Sequence, residues 1–192
     1  MTISKLKLKY SSLFFIPFIL MLGVFLCLGL TPFSKNSIHS GDFLSQYFPL
    51  YIGLHKMFWN GDFSGLFWSF EKSLGGAMPS VWGFNSLSPF TFLYVLFPIS
   101  SFHVISYIIS LIRFGVMGVV FGYFIEKKYQ AVSKRYWLAV GLCTSYALSG
   151  FIISQHYNPN FLDNLVYVPF IFLGIEDVVY GKRSIKLPVF LA

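Results

Sequence analysis

Long apolar runs, each closed off by charged or turn residues, constrain this chain more than any other feature. They cover about 13–30, 102–124, 137–154 and 165–180, and a further run begins at 185–192. A helix of ~20 apolar residues matches the hydrocarbon thickness of a bilayer. In lipid, such a helix satisfies its own backbone hydrogen bonds. The expected fold is therefore all-α, a polytopic transmembrane helix bundle, with 1–192 forming a single transmembrane region. Composition agrees, because only 11% of residues are charged, against about 25% in soluble domains. The last run is cut short at Ala192, so the chain is expected to be the N-terminal part of a larger protein.

The net charge of +7 would suit nucleic acid only if the basic residues shared a soluble face. They sit instead at the ends of apolar runs, as the positive-inside rule requires, which excludes nucleic acid as a partner and makes the lipid bilayer one. Lys5, Lys7 and Lys9 precede the first run, which is too long for a signal-peptide core and lacks a small-residue cleavage pattern after it. It reads as an uncleaved span with the N-terminus in the cytoplasm of a cell bounded by its plasma membrane. Residues 31–99 then form an outer, interfacial or re-entrant helical segment. If its short apolar run at 89–99 does not cross, ten basic residues fall inside: Lys5, Lys7, Lys9, Lys127, Lys128, Lys134, Arg135, Lys182, Arg183 and Lys186. Three, Lys35, Lys56 and Lys72, fall outside. Phe58, Trp59, Phe67, Trp68 and Trp82 suit the headgroup level. Cys27 and Cys143 lie inside apolar runs and read as small hydrophobes.

Chemistry has few places to sit. Beyond the first span, Asp42, Gln46, Pro49, Gly53, Lys56 and Asn60 recur at helical spacing, as do Phe43, Tyr47, Leu50, Leu54 and Phe58. This pattern predicts an amphipathic helix on the membrane surface, kinked at Pro49. Asp42, in its first turn, is either a cap favoured by the helix dipole or a carboxylate that activates a hydroxyl or holds a cation. The loop from Gln155 to Asn164 concentrates His156, Asn158, Asn160 and Asp163. Here Asp163 either caps the next helix or completes a polar pocket with Asp42. Arg113, in the middle of an apolar run, costs at least ~2.5–3.5 kcal/mol without help. It needs an anionic partner, either a carboxylate or a lipid-linked phosphate. His39, His55, His103 and His156 have no metal-ligand spacing, and Gly75-Gly76 beside Lys72 lacks the spacing of a phosphate loop.

Gly41-Asp42-Phe-Leu-Ser-Gln46-Tyr-Phe-Pro49 is followed by Trp59-Asn-Gly-Asp62, Leu74-Gly-Gly76 and Ser88-Pro89-Phe. Tyr146-Ala-Leu-Ser-Gly150 and Asn160-Phe-Leu-Asp163 come next, in order. Together, over roughly 41–182, they resemble the N-terminal part of the bacterial YfhO membrane-protein family, whose members are associated with GT-C glycosyltransferases. The resemblance implies a polyprenyl-phosphate-linked sugar as donor and a cell-envelope polymer such as lipoteichoic acid as acceptor. It also implies a catalytic carboxylate in the first outer loop, where Asp42 matches, with Asp163 as a second outer acid. Gln46, His156 and Asn160 are then expected to shape the substrate pocket, and Arg113 or Lys72 to assist the phosphate. No cofactor is indicated, and a divalent cation is left open. Two other functions compete with transfer: a lipid-linked glycan transporter or flippase component, and a non-catalytic partner in wall-polymer assembly.

Overall fold

The computed structural model describes residues 3–34, 36, 38–70, 75–85 and 88–182. Lys72 and the apolar run at 185–192 lie outside them. The described residues are all-α apart from one minimal antiparallel strand pair. The order begins with α1 (Ile3–Cys27), a π-helical turn (Phe43–Tyr47), α2 (Phe48–Asn60) and a 3-10 turn (Ser64–Leu66). β1 (Trp68–Ser69) then pairs antiparallel with β2 (Gly76–Ala77). After these come α3 (Pro79–Asn85), α4 (Pro89–Phe92) and two 3-10 turns (Leu93–Leu96, Ile99–Ser101). The long α5 (Phe102–Lys128), α6 (Gln130–Ser133), α7 (Tyr136–Ala147), α8 (Gly150–Ser154) and α9 (Pro159–Val179) complete the order.

Among the described residues, three helical stretches are long and apolar enough to cross a membrane: Tyr10–Cys27, Ile99–Lys128 and Tyr136–Ser154. In α9 the apolar run is bounded by Asp163, Glu176 and Asp177. Contacts group the chain into two compact units. One comprises Met1–Leu28, Ser110–Gln155 and Phe161–Ala192; the other comprises Gly29–Ile109 with His156–Asn160.

In the first unit, α1 meets α5 at a row of glycines. A Cβ on Gly115 would lie 2.7 Å from the Phe14 ring, and one on Gly122 would lie 2.3 Å from Leu13 Cδ1. At Gly118 it would lie 2.2 Å from the Leu13 carbonyl oxygen. That carbonyl stands four residues before Pro17, which has no N–H to donate to it, so a bare backbone is what lets α5 come close. Leu13, Ile125, Val140 and Cys143 close a small core with α7. The same problem arises at Pro169 inside α9 and is solved differently: Tyr146 Oη donates to the Leu165 carbonyl at 2.6 Å. Tyr10 Oη donates to Glu126 at 2.5 Å, and Lys128 pairs with Glu176.

In the second unit, Phe43, Tyr47, Tyr51, Leu54 and Met57 form the buried face of the π turn and α2. Tyr51 and Met57 thus take the places expected of Leu50 and Phe58. Leu54 keeps its expected place, and Pro49 sits in the first turn of α2, directly after the π turn. Phe43, Tyr47, Tyr51, Tyr94, Phe102, Ile105 and Ile109 make one core, and Leu54, Met57, Met78 and Trp82 a second. Trp82 is therefore not a headgroup residue; its indole donates to the Gly65 carbonyl at 3.2 Å. Phe58, Trp59, Phe67 and Trp68 remain exposed. Ser88 caps α4 through the Phe90 N–H. Downstream, Tyr94 Oη donates to Ser106 Oγ at 2.8 Å, which donates to the Phe102 carbonyl at 2.6 Å.

Candidate functional site

The turn that carries Asp42 is built on Gly41, whose φ of 52° is a left-handed conformation that suits glycine. The Gly41 carbonyl accepts from the Ser45 N–H at 3.3 Å and from its hydroxyl at 3.2 Å. Asp42 itself has helical dihedrals and caps nothing: its side chain makes no bond to the N–H groups that follow. It is exposed and, among the described residues, accepts one long hydrogen bond, from Gln46 Nε2 at 3.3 Å. Of the two readings its position allows, the helix cap is excluded. What stands there is an accessible carboxylate with an amide one helical turn away.

The loop His156–Asn160 belongs to the same compact unit as this turn. A Cβ on Gly41 would lie 3.9 Å from the Tyr157 ring, so the loop passes beside the Asp42 turn. His156 and Asn160 are half-buried and Asn158 is buried. His39 lies against Phe43 with ring centroids 4.2 Å apart. Burial pushes the His39 imidazole down to about 4, and nearby His103 and His156 push in the same direction. His39 and His103, with Thr31, Ser34, Ile38 and Tyr107, line a cavity of about 40 Å³. Sequence spacing hid this imidazole cluster, because its members come from a loop, the start of α5 and a loop more than fifty residues later. Among the described residues, no group of three His, Cys, Asp or Glu is placed to hold a metal ion.

In the other unit, Arg113 and Asp163 meet. Arg113 Nε donates to Asp163 Oδ1 at 2.6 Å and Nη2 to Oδ2 at 3.2 Å, and both residues are buried. The fork-to-fork geometry is the strongest form of such a pair. The helix that Asp163 was expected to cap begins earlier, at Pro159, so Asp163 stands in its second turn and points its carboxylate at α5. Both carboxylate oxygens accept from the guanidinium. The residues expected to serve as a second acid and as a phosphate ligand are here partners of each other.

The model of the bacterial membrane protein YfhO family matches residues 12–192. The chain belongs to the YfhO family. Neither a protein of curated function nor a solved structure matches it. Membership and the three span-length helices place it in a bacterial membrane.

Proposed function

We propose that the protein is a membrane glycosyltransferase. In this reading it moves a sugar from a polyprenyl-phosphate donor to a cell-envelope polymer, lipoteichoic acid or similar, on the outer face. The observation that carries the reading is the state of Asp42: exposed, uncapped and, among the described residues, hydrogen-bonded through its side chain to Gln46. Transfer to a hydroxyl needs a carboxylate that takes the acceptor's proton as the oxygen attacks the anomeric carbon. Asp42 meets that need in the segment that follows the first span in sequence, and in this reading the isoprenoid tail of a donor remains in lipid. Gln46 positions the carboxylate, and His156 and Asn160 line the approach from the neighbouring loop. Arg113 and Asp163 serve this chemistry indirectly, by fixing the helices that carry them.

The test is sugar content of wall and lipoteichoic polymers in cells whose own copy is replaced by Asp42→Asn. The expected result is loss of the sugar, at least a hundredfold in rate, with normal protein level in the membrane. Retained sugar would sink the transferase reading and favour a lipid-linked glycan transporter or an assembly partner.

A further inference from the structure

Four observations converge at one place in the second unit. The cavity of about 40 Å³ beside His39 is several times what a single water needs, ~10–15 Å³. Its polar lining is rich in groups that donate hydrogen bonds: the imidazoles of His39 and His103 and the hydroxyls of Thr31, Ser34 and Tyr107. His156 adds a third imidazole close enough for its charge to act on His39. His103 stands in the first turn of the 27-residue α5, where the helix dipole favours negative charge.

The chemistry of the ligand follows from what this arrangement lacks. Among the described residues no carboxylate lines the cavity, so no fixed negative charge opposes an anion there. A metal ion does not fit, since the described residues bring no three ligands together at metal-binding geometry. A neutral ligand with one acceptor would leave most of the donors unused. An anion with several acceptor oxygens uses them together, and each bond is charge-assisted. The cavity has room for such a compact group and no room for a polyprenyl chain.

We propose that this cavity is an anion subsite that takes a phosphate group, held by His39, His103 and Tyr107 with His156 alongside. The phosphate is either that of a lipid-linked donor or free phosphate. The first source rests on the transferase reading; the subsite itself does not. Because the Asp42 turn begins two residues after His39, a lipid-linked phosphate held here brings its attached sugar next to that carboxylate.

Around His39, the charged and titratable groups among the described residues are His103 and Tyr107 from α5, His156 from the loop and Asp42 along the chain. Burial and the neighbouring imidazoles oppose a proton on His39 and hold it down to about 4. Near neutral pH the ring is uncharged and meets an anion as a hydrogen-bond donor.

The experiment uses the full chain in nanodiscs and compares farnesyl monophosphate, farnesol and inorganic phosphate by calorimetric titration at neutral pH. Farnesyl monophosphate is expected to bind more tightly than farnesol. His103→Gln is expected to weaken it about tenfold or more, the loss of one charge-assisted hydrogen bond. His156→Asn, at a half-buried loop position, is a second variant in case His103→Gln does not fold; it is expected to weaken binding in the same direction. Preference for farnesyl monophosphate over inorganic phosphate assigns the site to the lipid-linked source. Equal affinity for the two assigns it to free phosphate, and the subsite stands either way. Equal binding of farnesol and its phosphate, or affinity indifferent to both substitutions, overturns it. The two readings fail separately: unchanged sugar in Asp42→Asn cells ends the transferase reading and leaves histidine-dependent phosphate binding intact.

Discussion

Two carboxylates that look alike in sequence, Asp42 and Asp163, have opposite environments. Asp42 is exposed and lightly bonded, so Asp42→Asn is expected to change stability by no more than about 0.5 kcal/mol while removing the proposed activity. Asp163 is buried against Arg113. Asp163→Asn leaves a guanidinium without its charge partner among apolar side chains, which costs about 3–5 kcal/mol. Arg113→Met combined with Asp163→Leu removes both charges and should recover most of that loss. Thermal unfolding of detergent-purified protein checks the pair, and an Asp163→Asn variant as stable as wild type would show that the ion pair contributes nothing. The need for a partner was legible in the sequence, because an arginine inside an apolar run demands one. The identity of the partner was not, since local periodicity carries no information about a residue fifty positions away. Asp163 was open to misreading as a cap because of its place after a polar loop. The proline at 159, a residue favoured at the first helical position, was the signal that the helix starts earlier.

At the scale of elements, the packing of α1 on α5 depends on what each helix leaves out. Pro17 leaves the Leu13 carbonyl without its helical N–H, and Gly118 leaves out the side chain that would strike it. Gly118→Ala is expected to force the two helices apart at a cost of about 1–3 kcal/mol. Gly141→Ala in α7, where nothing lies within 4 Å of the added carbon, should be neutral or slightly stabilising. Protease resistance and unfolding temperature of the two variants in detergent measure the difference, and equal behaviour would remove the close approach as a cause of stability. Spans of the right length were readable from hydropathy alone. The glycine row of α5 was not read from sequence, because only the facing helix tells a packing glycine from an idle one. The buried face of α2 was readable to within one position. Burial falls on Tyr51 and Met57 in place of Leu50 and Phe58 with Leu54 kept, because steps of three and of four are both compatible with 3.6 residues per turn.

For the whole molecule, the sequence ordered the spans but could not say which loops fold together. His156–Asn160 joins the unit of the Asp42 turn, and the chain passes to the unit of Arg113 within the next few residues. The charge pattern carries an expectation about orientation, and the proposed chemistry depends on it, because Asp42 must face the side where the polymer is. Ten basic residues against three favour a cytoplasmic N-terminus and a cytoplasmic α5–α7 connection. This requires that 89–99 not cross. α4 and the 3-10 turn after it run only from Pro89 to Leu96, and so few residues at 1.5–2.0 Å each cover about half of the ~30 Å hydrocarbon layer. With Cys27 and Cys143 replaced by alanine, single cysteines at exposed Asn60 and exposed Ala131 report the two sides. A membrane-impermeant maleimide applied to intact cells is expected to label Asn60→Cys, and to label Ala131→Cys only after permeabilisation. Labelling of both in intact cells would mean that 89–99 does cross. The reversed pattern would put Asp42 in the cytoplasm, away from any wall polymer, and the outer-face transferase could not operate.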